Sequence, residues 1–209
     1  TKKSKKKVVT SKITTTVQTT TTQQVSIANE TAVSTTSSGT SVAQATAAAS
    51  SSQNQSKYEA NVASVAGKMD NRVIAAYQQL GFKLVVDPSV NYSGYFDARS
   101  RSITMKQIDD TVYHELGHFL AFIAGNVDKT ASFQSIFAAE KANVTAFNKA
   151  YVTQNASEYF AESVKDYILN NASLKSTRPQ TYAAVQNALN QITDAQIAKI
   201  QKIYGAFWN

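Results

Sequence analysis

At 209 residues and a formal net charge of +7, the chain can hold one ordinary domain plus a tail, and its charge is gathered at one end. Residues 1–56 carry six lysines against Glu30 alone, while the rest has 15 basic and 13 acidic residues, so composition gives no support to a basic groove for nucleic acid. There are no cysteines, which excludes disulfides and thiolate metal ligands, and no apolar run reaches membrane-spanning length.

Thr1–Lys7 is a lysine block that reads as a solvated end, with contact to an anionic cell-wall polymer or acidic lipid head groups as its functional alternative. The Ser/Thr-rich stretch that follows has no aromatic residue before Tyr58 and cannot bury enough surface to offset its ordering entropy. Residues 1–56 are therefore expected to be a disordered tether and residues 57–209 the folded domain. From Tyr58, an apolar stripe through Val62, Val65, Met69, Val73 and Tyr77 to Leu80 predicts a helix stopped by Gly81. Phe82–Val86 reads as a strand ended by Asp87-Pro88. Tyr92–Ala98 and Ser102–Lys106 read as a hairpin around Arg99, with Ile103 and Met105 on its buried face. Helices are expected after Asp109-Asp110 as far as Gly125-Asn126, then over Ala131–Tyr151, Ser157–Asn170, Gln180–Leu189 and Asp194–Phe207. The fold class is α+β, helix-rich, with a small mixed sheet preceding the first of these helices.

That helix holds both histidines of the chain, in TVYHELGHFLAFI. His114 and His118 stand at i and i+4 on one face, where two imidazoles can converge on one zinc ion. Glu115 is then placed to take a proton from water at the metal, the arrangement of HExxH peptidases and of a zincin-like domain. Gly117 leaves room for close packing. A third donor must come from downstream. The metzincin continuation is excluded, because Ala121 and Ala124 stand where its glycine and histidine belong. Among Asp128, Glu140, Glu158, Glu162 and Asp166, the pair Glu158 and Glu162 lies one turn apart on one helix. One of them can face the metal while the other hydrogen-bonds an imidazole. Glu140, among small and basic residues, reads as solvated. A strand just ahead of such a helix is commonly an edge that extended peptides join. Arg99–Lys106 is the expected edge, with Tyr95, Phe96, Arg99, Arg101, Ser102 and Ile103 lining the groove.

HELGH, DKTASFQSIFAAE, Tyr151, SEYFAES and RPQTYAAV together resemble the anthrax lethal factor-like metallopeptidases, over roughly residues 58–190. Within that group the chain is most similar to the secreted bacterial Pro-Pro endopeptidases. The resemblance implies one Zn2+ ion held by His114, His118 and Glu158, Glu115 as general base, Tyr151 as oxyanion donor and Glu162 as the carboxylate behind a ligating histidine. It also implies a secreted or cell-surface bacterial endopeptidase, with a proline-rich surface protein as substrate. Ser157 stands where those enzymes carry an acid before the zinc glutamate, and Trp208 is far from the place of their substrate-holding tryptophan. The alternative is a non-catalytic zinc-containing binding module on a tether.

Overall fold

Each strand of the small sheet is three or four residues long, so the sheet is held by what packs on it rather than by its own hydrogen bonds. The computed structural model describes residues 56–208; the expected basic tether lies outside the described residues up to Gln55. Strand β1 (Tyr58–Ala60) runs antiparallel to β2 (Lys83–Val86), which runs parallel to β4 (Ser102–Met105), and β4 is antiparallel to β3 (Gly94–Asp97). The order β1-β2-β4-β3 makes a mixed sheet with β4 inside it.

The single helix expected from Tyr58 is not formed. Tyr58–Ala60 is strand β1, and two helices follow, α1 (Val62–Val65) and α2 (Asn71–Gln79). Side-chain caps explain the breaks: Asn61 accepts from the N–H groups of Ala63 and Ser64, and Asp70 from that of Arg72. Each satisfies donors that a continuous helix would have used itself. The apolar stripe is real, since Val62, Met69, Val73 and Tyr77 are all buried.

Helix α3 (Thr111–Ile123) is buried on nearly every side, as its apolar composition requires of a central helix. It begins where the Thr111 N–H meets the Asp109 carboxylate at 2.9 Å, and ends at Gly125 and Asn126, both at positive φ. The expected helix over Ala131–Tyr151 stops early as α4 (Ala131–Glu140). A 3-10 turn follows (Lys141–Asn143) and then α5 (Lys149–Val152).

The break is made by Glu140, which is buried rather than solvated. It accepts from Gln180 N (3.0 Å), Thr181 N (2.9 Å) and Thr181 Oγ1 (2.7 Å), capping α8 (Pro179–Asn190) from a distant element. Between them lie α6 (Ala156–Leu169) and α7 (Asn171–Thr177), the latter not anticipated; α9 (Asp194–Trp208) closes the fold. No helix among the described residues is long and apolar enough to cross a membrane.

Candidate metal centre and active site

Two helices build the site, and their separation is set by a glycine. A Cβ on Gly117 of α3 would lie 2.7 Å from both the Cα and the carbonyl oxygen of Ala161 on α6, so only glycine allows this crossing. Asn155 caps α6, accepting from the N–H groups of Ser157 and Glu158 at 2.9 Å each, which fixes Glu158 in the first turn. With α3 and α6 so close, Glu158 and Glu162 face His114 and His118.

His114 Nε2 lies 3.1 Å from Glu158 Oε2, and His118 Nε2 lies 3.6 Å from the same oxygen. Donors about 2.1 Å from a tetrahedral ion are about 3.4 Å apart, which these two distances bracket. One donor atom from each of His114, His118 and Glu158 lies within 4.8 Å of the other two, so the set fits a small cation. Glu162 Oε2 accepts from His114 Nδ1 at 2.9 Å, which fixes the tautomer and leaves Nε2 for the cation.

The electrostatics agree. Burial opposes a charge on His114, but Glu158 and Glu162 overcome it and push its pKa up to about 9. Glu158 is held well below the usual carboxylate range: burial raises it, and the two histidines more than offset that. A site that retains a proton between a histidine and two carboxylates is one where a metal cation can replace it.

Glu115 is buried beside these donors. Burial raises its pKa, partly countered by the histidines and by a backbone hydrogen bond with Phe96. The backbone of β3 comes very close here, and a Cβ on Gly94 would lie 2.6 Å from Glu115 Oε1. Tyr151, on α5, is exposed beside Glu158. Burial first, then the Glu158 carboxylate, pushes its pKa up to about 12, so it remains a neutral phenol with a proton to donate. A cleft of about 340 Å³ opens onto His114, Glu115, Tyr151 and Glu162, and Tyr92, Ser93, Gly94, Thr111, Asn148 and Lys165 complete its lining.

The expected groove divides. Strand β4 is paired on both sides, so Arg99–Lys106 is not the open edge; that edge is β3. Ile103 is fully buried, Ser102 Oγ pairs with Ser100 Oγ at 2.8 Å, and Arg101 donates to the carbonyls of Leu80 and Trp208. Arg99 lines a separate apolar cleft with Tyr204, Phe207 and Trp208. Phe96 stacks on Phe82 in the core, its backbone alone reaching Glu115, and Tyr95 is exposed beside Tyr92. Sequence reading missed Tyr92, Ser93, Gly94, Asn148 and Lys165. Only Gly94 carried a signal, since a glycine inside a strand often marks a close backbone approach.

Residues 98–188, which contain the whole donor set, match the family model described as anthrax toxin lethal factor, N- and C-terminal domain. This part of the chain is lethal factor-like. The Pro-Pro endopeptidase of Clostridioides difficile (strain 630) is 41% identical over 78 residues, which is 35% of this chain and 34% of that relative. The chain thus matches about a third of the relative's length. One departure from the lethal factor-like pattern has a structural counterpart: the Ser157 hydroxyl donates to buried Asp128 at 2.6 Å, so a carboxylate still sits beside the start of α6.

Proposed function

We propose that this lethal factor-like protein is a secreted or cell-surface bacterial zinc endopeptidase, with residues 57–209 as its peptidase domain and the basic N-terminal segment as a tether. The observation that carries the reading is Glu115: a buried carboxylate beside a three-donor cation cluster and directly beneath an open strand edge. A purely structural metal site has no use for such a base.

His114, His118 and Glu158 would hold the ion, and Glu162 fixes the His114 ring. When bound there, zinc supplies Lewis-acid polarisation of the scissile carbonyl and lowers the pKa of water. Glu115 takes the proton from the attacking water and passes it to the leaving amine. The Tyr151 hydroxyl donates to the carbonyl oxygen as negative charge develops on it.

The peptide lies along β3. Ser93 O accepts from Lys106 N at 3.0 Å, and pairing alternates along an antiparallel ladder, so Gly94 and Phe96 turn their backbone groups away from β4; Glu115 takes the Phe96 N–H, which leaves the Gly94 groups and the Phe96 carbonyl for a peptide. Two exposed aromatics, Tyr92 and Tyr151, line this cleft, and Tyr95 lies against Tyr92. Such an aromatic-lined path suits the extended, proline-rich peptides suggested by the similar Pro-Pro endopeptidase.

The deciding experiment is digestion of a peptide library that includes a proline-rich subset, read by mass spectrometry, with the zinc-loaded full chain and its Glu115→Ala variant. Cleavage by the wild type alone supports the proposal. Zinc binding without cleavage of any peptide makes the domain a binding module, and cleavage by Glu115→Ala removes the base assignment. Cuts with no enrichment of proline on either side dispose of the proline-rich substrate.

A further inference from the structure

Lys165 extends the stripe on α6 that carries the site: Glu158, Glu162 and Lys165 follow one another at four- and three-residue steps. Lys165 Nζ lies 3.3 Å from Glu162 Oε1, while the other oxygen, Oε2, holds His114 Nδ1 at 2.9 Å. We infer that Lys165 is a positioning residue of the metal centre, its ammonium pinning the Glu162 carboxylate so that the His114 ring is held with Nε2 toward the cation. This rests on the zinc reading above.

An ordinary exposed i,i+3 pair adds little to stability and orients nothing. Here the acid is not exposed. The Glu162 side chain is 7% accessible, and among the described residues its recorded hydrogen bonds go only to His114 and Lys165. Without Lys165, Oε1 loses its one recorded partner in a buried position. The carboxylate can then rotate or share His114 poorly, and the imidazole loses the acceptor that sets its tautomer.

Lys165 is also tied to the start of α3. Asp109 is held ionised against its burial by hydrogen bonds from Thr111 and Gln107, and the Lys165 charge adds to them. One ammonium therefore acts electrostatically on both the carboxylate that starts the histidine helix and the one that orients its first histidine. Lys165 lines the cleft as well, so the competing role is direct contact with substrate.

Zinc affinity separates the two. Competition with a chromophoric chelator is measured on the full chain as wild type, Lys165→Met, Lys165→Arg, Glu162→Gln and the double variant Glu162→Gln/Lys165→Met, with circular dichroism as the check on folding. Lys165→Met is expected to weaken zinc binding about tenfold, the lower end for partners behind a ligand. Lys165→Arg should restore it to within about twofold, because the guanidinium also donates to Glu162. In the Glu162→Gln background, Lys165→Met should add less than about twofold, since its effect passes through that carboxylate.

Lys165→Met binding zinc as tightly as wild type overturns the inference, and a raised KM at that unchanged affinity makes Lys165 a substrate contact. An undiminished effect in the Glu162→Gln background overturns it too. If Lys165→Met loses helix content, Lys165→Gln takes its place in the same cycle. Zinc binding without peptide hydrolysis in the wild type would sink the peptidase reading and leave this one standing. A wild type that binds no zinc would sink both.

Discussion

Gly117→Ala tests the helix crossing on which the site depends, because two opposed effects give the result a sign. In a helix interior alanine is favoured over glycine by about 1 kcal/mol, so on propensity alone the variant is more stable. The added Cβ, however, would lie 2.7 Å from Ala161 Cα and 2.7 Å from its carbonyl oxygen, both backbone atoms. Carbon atoms in ordinary contact are about 3.5–4.0 Å apart, so α3 and α6 must separate by about 0.8 Å. Overpacking of this kind costs about 1–3 kcal/mol, and the net expectation is a loss of about 1 kcal/mol in metal-free protein. The same displacement widens the 3.1 and 3.6 Å separations between the histidines of α3 and Glu158 of α6. Ligand distances tolerate only about 0.2 Å, so zinc affinity should fall on the order of tenfold. Urea unfolding followed by circular dichroism in chelator measures the first effect, and competition with a zinc-binding dye the second. A Gly117→Ala protein at least as stable as wild type, with unchanged zinc affinity, refutes the close crossing.

Glu158→Ala should fold yet lose zinc on dialysis; metal content equal to wild type by mass spectrometry would place the third donor elsewhere. Tyr151→Phe alters an exposed hydroxyl, so the melting temperature should stay within about a degree or two while kcat falls about a hundred- to a thousandfold. An unaltered kcat removes Tyr151 from transition-state stabilisation. Glu140→Ala strands the Gln180 and Thr181 N–H groups and should cost about 2–4 kcal/mol in urea unfolding, with kcat of the remaining folded enzyme unchanged. A loss below about 0.5 kcal/mol would mean that α8 finds another cap.

What could be read from the residues follows the range of the interactions. His114 and His118, like Glu158 and Glu162, are i,i+4 pairs whose shared face is fixed by helical geometry alone, and the structure brings all four together. The hairpin of β3 and β4 and the ends of α3 were also legible, each set by neighbouring residues such as Asp109, Gly125 and Asn126. Glu140 was misread because its immediate neighbours are small and basic, while its partners lie 40 and 41 positions along the chain. The helix predicted from Tyr58 erred in the same way: the apolar stripe is buried, but whether Tyr58–Ala60 becomes strand depends on β2, which comes more than twenty residues later.

The misplaced edge has the greatest bearing on function. Alternation of side chains identifies β4 as a strand with Ile103 and Met105 inward, but not which of its flanks are occupied. That is decided when β2 inserts parallel to β4, Leu84 against Ile103, leaving β3, among the described residues, as the only strand on the far side. The open edge then falls on Gly94–Asp97, where a glycine lets the backbone come down onto Glu115. The chemical groups are thus set by local spacing on two helices, whereas the strand edge proposed to receive a peptide is set by the order of the sheet. On the proposed function, substitutions along this edge should therefore alter the peptide accepted without disturbing the donor set.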